Sequence, residues 1–289
     1  MLNSLLRYIR KNETLLAYML LYPYILLCIV FLIFPSINLL NLSLREMTRD
    51  FQLSDYVGLQ NYLMLLAPPY LPIILRTLWY ASLTSILCLL IGFPTAYYLS
   101  MRVDRGKRFL LLLLFLPFWI GFMIRTYSLN LLLRSDSPFN VFFQIAGFSV
   151  KSLGLLGAPF AVILGLTLNL LPIMTLILYY SLENFDRTLI EAAEDLGAKP
   201  VTIFFTILLP QCSPGIIVAI LIIFTAAAGD FIAPEFLGSG DTVMIANLLE
   251  SLFSRVPNPP LASSIALIFI TVIIAVSFLW YFLYGRKKE

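Results

Sequence analysis

Arg125 and Asp230 are charged side chains that the sequence places within or at the end of long apolar runs. A charge at membrane depth is costly, so one that persists there usually faces a cavity or a partner. A carboxylate set among aromatic faces is the right chemistry for an organic polycation, because the ring quadrupole attracts ammonium groups. Asp230 with Trp119, Tyr127 and Phe231 supplies that set. Two plainer readings stand beside it: Arg125 and Asp230 pair as a structural bridge, and the aromatic residues form an interfacial belt. Asn169, in a later apolar run, is either a polar contact on the same path or an amide that bonds a neighbouring helix. Glu235 and Asp241 fall in a Pro- and Gly-rich segment and can face a protein partner or water.

The second polar set is an elbow, EAAEDLGAKPVTIFFTILLP from Glu191 to Pro210, charged where its neighbours are oily. Asp186 or Thr188 can cap a short helix, with Thr188 and Glu191 at capping-box spacing. Gly197 can end that helix, and Pro200 suits the first turn of another. A helix, a glycine turn and a second helix make a rigid polar knob that must lie outside the hydrocarbon. Its shape suits a partner.

Composition names the solvent that positions both sets. Of 289 residues, 60% are hydrophobic and 12% charged, with a mean hydropathy of +0.92, which marks an integral membrane protein. At about 20 residues per span the chain serves one all-α membrane helix bundle with six transmembrane helices. Spans are expected at about 14–44, 72–100, 109–133, 159–180, 214–231 and 261–284, with the polar loop at about 181–213. Pro23 and Pro35 should bend the first span, and Gly92 with Pro94 should break the second. A loop, with room for a short interfacial helix, is expected from Arg45 to about Leu71, and an external one from Ala233 to Pro260.

Charge sets the orientation. Clusters at Arg7–Lys11, Arg102–Arg108 and Arg286–Lys288, with Arg187 and Lys199, hold most of the nineteen Lys and Arg. Positive charge is retained on the cytoplasmic side, so both termini and the elbow are expected there. The net charge of +3 is too small to point to nucleic acid. The sequence has no histidine, which removes the commonest metal ligand and the commonest general base near neutral pH. Cys28, Cys88 and Cys212 have no paired spacing, so neither a disulfide framework nor a metal site is expected.

Glu191, Ala192, Ala193, Gly197, Ile207, Leu209 and Pro210 resemble, in type and spacing, the EAA loop of bacterial ABC importer permeases. Pro117, Phe118 and Trp119, followed by Ile124, Arg125 and Tyr127, look like a block found in the spermidine and putrescine import group. LPIMTLILYYSLENFD before the elbow, and the stretch from Gly229 through Pro234, Gly238 and Met244 to Asn247, are similar to that group too. The resemblance implies a coupling helix seated in a cleft of an ATPase subunit. It also implies a second, homologous permease, two ATPase subunits and an extracytoplasmic solute-binding protein, all at a bacterial inner membrane. The chain contains no GxxxxGK[ST] phosphate loop, so the expectation is a transport subunit with no cofactor of its own and ATP bound by the partner. A polyamine is the implied solute, with opines, phosphonates and ferric iron as alternatives on the same framework.

Two other classes compete. Gly238, Gly240 and Asp241 spell the GxGD string of intramembrane aspartyl proteases, but in a Pro- and Gly-rich loop and without a second aspartate on an opposing span. An ion-driven secondary transporter would carry buried acids and two related halves. These spans are nearly free of acids and show no repeat.

Overall fold

In a bilayer the backbone of each apolar run must satisfy its own polar groups, and a helix does so within one segment. The computed structural model describes residues 13–48, 52–103, 105–134, 137 and 155–285. The terminal basic clusters and most of the loop between 134 and 158 lie outside the described residues. Five helices among those described are long and apolar enough to cross a membrane: Leu21–Ser43, Tyr70–Met101, Pro159–Glu183, Pro200–Ala228 and Pro259–Val276. Lys107–Trp119 and Phe122–Leu133 make a sixth span if that pair, bent by 83°, is counted as one.

The elements in order are α1 (Glu13–Cys28), α2 (Phe34–Ser43), β1 (Arg45–Met47), β2 (Leu53–Val57), α3 (Gln60–Met64), α4 (Tyr70–Met101) and α5 (Lys107–Phe115). There follow α6 (Phe122–Leu133), α7 (Pro159–Glu183), α8 (Thr188–Asp195), α9 (Pro200–Ile203), α10 (Leu209–Ala228), α11 (Ile232–Leu237), α12 (Ile245–Ser254) and α13 (Pro259–Gly285). Contacts divide the chain into two units, Met1–Leu66 with Leu252–Phe269, and Ala67–Ser251 with Ile270–Glu289.

In the first unit, a π-helical turn over Ile29–Ile33 joins α1 to α2 just ahead of Pro35. No residue between 21 and 42 is buried. The expected loop after it contains a two-stranded antiparallel hairpin, with Arg45 opposite Val57 and Met47 opposite Leu53. Thr48 N donates to Gln52 O and Gly58 N to Leu44 O, both at 2.8 Å, and close its two ends. Asn61 in α3 fastens the hairpin, donating to the carbonyls of Ser43 (2.9 Å) and Arg45 (2.7 Å). Among the described residues these are the only strands.

In the second unit α4, α7 and α10 pack together. Gly92 does not break α4, which runs unbroken from Tyr70 to Met101. It lets α7 approach instead: a Cβ there would meet Met174 Cγ and Thr175 Oγ1 at 3.2 Å. Thr77, Ser85, Thr167 and Thr175 return their hydroxyls to carbonyls one turn back, so that buried polar atoms cost little. Tyr80, Val162, Leu166, Ala233, Leu237 and Met244 form a buried apolar cluster.

Three sequence expectations change here. The stretch 233–260 is not an open loop: α11 and α12 bury Ala233, Leu237 and Ile245, and the Ile245 amide donates to Thr77 Oγ1 at 2.9 Å. The run 109–133 is not one helix. It passes through a 3-10 turn, Leu116–Trp119, and then an extended Ile120. Finally, the helical run that contains the fifth span begins at Pro200, not Pro214, passing from α9 through a π-helical turn at Phe204–Leu208 into α10. That π turn again precedes a proline, Pro210. Pro214 cannot donate to Pro210 O, and the Ser213 hydroxyl does so at 2.6 Å.

Candidate functional site: the elbow and the α6–α7 cleft

The elbow is built from local hydrogen bonds. Asp186, not Thr188, supplies the cap of α8: its Oδ1 accepts from Thr188 Oγ1 (2.8 Å) and Thr188 N (3.0 Å). No Thr188–Glu191 capping box forms. Those two bonds, hydroxyl first and amide second, hold the Asp186 carboxyl below its ordinary pKa. A depressed carboxylate contributes stability above its unfolded pKa and loses it as pH falls through the lowered value. Asp186→Ala is therefore expected to speed amide exchange over Thr188–Glu191 at neutral pH, and unchanged exchange would count against the cap.

At the other end, α8 closes in a Schellman motif. Ala198 N donates to Ala193 O (3.0 Å) and Gly197 N to Glu194 O (2.8 Å), with Gly197 at φ +79°. Lys199 is extended and Pro200 opens α9. Glu191 is exposed in the first turn of α8, where the helix dipole favours a carboxylate. Ala192 is exposed and Ala193 buried. Ile207 lies in the π turn, while Leu209 and Pro210 open α10. The last three motif residues therefore belong to the helix that continues into the span. At the tip, Leu196 is 88% exposed.

Several contacts fix the elbow to the spans. Arg187 Nη2 donates to the carbonyl of Ser100 near the end of α4. Phe204 meets Phe93 of α4 edge to face, with centroids 5.7 Å apart. Gly215 of α10 lies so close to α7 that a Cβ would stand 2.1 Å from Ser181 Oγ. Lys107 Nζ bridges Glu183 Oε2 at 2.5 Å.

The second site is a cleft of about 250 Å³ between α6 and α7, lined by Pro117, Arg125, Ser128, Leu132, Gly165 and Asn169 among others. Nε and Nη1 of Arg125 are buried without a hydrogen-bond partner. The guanidinium lies over the rings of Phe118 (5.3 Å) and Phe122 (5.6 Å). Asn169 donates to Thr126 Oγ1 at 3.0 Å, tying α7 to α6. Arg125 and Asn169 are thus brought together, and Thr126 and Ser128, which sequence reading passed over, join them. Their only sequence signal is polarity inside an apolar run.

The structure does not pair Asp230 with Arg125. Asp230 Oδ1 accepts from Ala233 N at 2.9 Å and caps α11, while Arg125 is left to its two rings. Phe231 beside it is 47% exposed, and its carbonyl accepts from Asn247 Nδ2 at 2.9 Å. Tyr127 meets Phe236 edge to face at 5.9 Å. Trp119, 91% exposed, stands at the bend between α5 and α6. Asp241 is exposed on a 3-10 turn, Gly240–Thr242, closed by a Ser239–Thr242 capping box. The GxGD string there is turn chemistry.

Comparison with known proteins agrees with this architecture. A family model described as the inner membrane component of binding-protein-dependent transport systems matches residues 23–289. The chain is similar to the spermidine/putrescine transport system permease protein PotB of Haemophilus influenzae, 34% identical over 269 residues, covering 90% of this chain and 92% of the relative. It is 31% identical over 260 residues to PotB of Escherichia coli K12, covering 89% and 94%. Among solved structures, a chain of a bacterial alginate ABC transporter, in complex with alginate pentasaccharide-bound periplasmic protein, shares the fold at a TM-score of 0.76. That match is 16% identical and covers 98% of both chains. A chain of the inward-facing MetNI methionine ABC transporter matches at 0.55, with 18% identity over 77% of this chain and all of the other. This chain is a transport permease subunit and not an enzyme, and it belongs to the family of binding-protein-dependent transport system inner membrane components.

Proposed function

We propose that this permease forms half of the membrane pathway of an ATP-driven importer for a polyamine of the spermidine and putrescine type. The observation that carries the reading is the elbow, capped by Asp186, closed by Gly197 and continuous with the span-five helix. A polar, rigid knob joined at both ends to spans passes on a push from outside the membrane with little loss. Identity to the PotB permeases along most of the chain supports the solute class. The partners are a second homologous permease, two ATPase subunits that bind the ATP, and an extracytoplasmic solute-binding protein. The chain itself carries no cofactor.

The distribution of Lys and Arg supports a multi-pass protein of the bacterial inner membrane with both termini and the elbow in the cytoplasm. In the solute path we place Asp230, Trp119, Tyr127, Arg125 and Phe231. The carboxylate and exposed rings suit an ammonium chain, and Arg125 sets a positive wall within the α6–α7 cleft.

The test is uptake by the complete complex in proteoliposomes, with ATP inside and labelled spermidine or putrescine delivered by the binding protein. ATP-dependent uptake of a polyamine supports the reading. Uptake of an opine, a phosphonate or ferric iron, with none of a polyamine, would move the same machine to another cargo. Asp230→Asn, which keeps an oxygen able to accept from Ala233 N, is expected to lower polyamine uptake about tenfold, on the scale of one lost charge contact. It should leave ATPase-subunit binding intact. Unchanged uptake would remove Asp230 from the path.

A further inference from the structure

Helix α5 is secured unusually in this chain. None of its residues is buried, and Phe109, Leu112, Leu113 and Leu116, the last just past its end, all stand exposed. It therefore builds no core that would set its direction against α7. The bent α5–α6 pair is held at each of its ends by specific contacts. At the head, beyond the bend, α6 is tied by Thr126 to Asn169 and by Asn130 Nδ2, which donates to the carbonyl of Phe236. At the foot, Lys107 Nζ donates to Glu183 Oε2 at 2.5 Å and lies 5.1 Å from the centre of the Tyr179 ring. Tyr179 and Glu183 are four residues apart and share a face of the last turns of α7. That face is the root of the elbow, since Asp186 and α8 follow at once.

We propose that Lys107 is a positioning residue that ties the foot of the bent α5–α6 pair to the root of the elbow. Movement of the elbow then swings α5 and re-aims the bend that carries Trp119, with Arg125 and Tyr127 just beyond it. The inference rests on the importer reading above. A partly exposed ion pair adds little to stability. It can bias two conformations of a lever a few-fold.

The experiment uses the assembled complex and reads solute taken up per ATP hydrolysed. Lys107→Glu and Glu183→Lys are each expected to lower that ratio about fivefold. The double reversal should recover it to within about twofold of wild type, and Lys107→Arg should keep it. Should either reversal block assembly, Lys107→Met and Glu183→Gln remove the pair without adding repulsion and carry the same expectation. Wild-type ratios in the single variants, or a double reversal no better than the singles, would overturn the inference and leave the importer reading standing. A wild-type complex without ATP-driven uptake would overturn both.

Discussion

Gly197→Val is expected to cut solute uptake by the assembled complex at least tenfold while ATP hydrolysis continues. Gly197 sits at φ +79°, and a Cβ placed there meets nothing within 4 Å. The penalty is therefore conformational and not a clash. A β-branched residue held in the left-handed region costs about 1–3 kcal/mol. The elbow would relieve it by giving up the Schellman bonds from Ala198 and Gly197. With them goes the fixed angle between α8 and the helix that continues into the span. Asparagine enters this region more readily than other residues with a side chain, so Gly197→Asn should stay within about twofold of wild type, with Gly197→Ala between the two. Glu191→Lys should act in the same direction by placing a cation at the positive end of α8. Uptake per ATP that is equal across the series would dissociate the turn from coupling.

Gly215→Ala should lower the yield and thermal stability of the folded permease. A methyl group there would stand 2.1 Å from Ser181 Oγ and 2.5 Å from Ser181 Cβ. The second atom is fixed to the α7 backbone, so a rotamer change does not make room and α10 must move away. Over-packing of this kind costs about 1–3 kcal/mol, the upper end being expected where both sides are helix backbones. Small residues that let helices approach closely are a main source of association in lipid. Ser181→Gly should restore the melting temperature of Gly215→Ala in the double variant. A single variant as stable as wild type would show that the two helices do not need this approach.

The spans were legible because length and hydropathy alone identify a helix that must cross lipid. Their ends were less so. The sequence starts the fifth span at Pro214, yet a π turn ahead of Pro210 and the Ser213 hydroxyl at Pro214 carry the helix through from Pro200. The bend at Ile120–Gly121 was hidden for the opposite reason, since an apolar run keeps its hydropathy whichever way the helix points. In the elbow, glycine followed by proline gave the turn away. Between Asp186 and Thr188 the geometry selects Asp186, whose Oδ1 accepts from both the amide and the hydroxyl of Thr188. In the α6–α7 cleft, the residues carried types but not partners. Asp230 and Arg125 looked complementary in sequence, but the amides at the start of α11 engage Asp230 and aromatic rings cover Arg125. Asn169 was recognisable as a helix-bonding amide, and only the packing of α6 on α7 names Thr126 as what it bonds.

The proposed coupling role makes the elbow the contact with an ATPase subunit. Leu196 at its tip and Trp119 at the α5–α6 bend are both highly exposed, so a cysteine at either position is open to a short bifunctional thiol reagent. In the assembled complex, Leu196→Cys should cross-link to an ATPase subunit carrying cysteines around its permease-facing cleft, with the yield changing when ATP is added, and Trp119→Cys should not. Absence of any ATPase cross-link from Leu196→Cys across that set, in a complex that still imports solute, would contradict it.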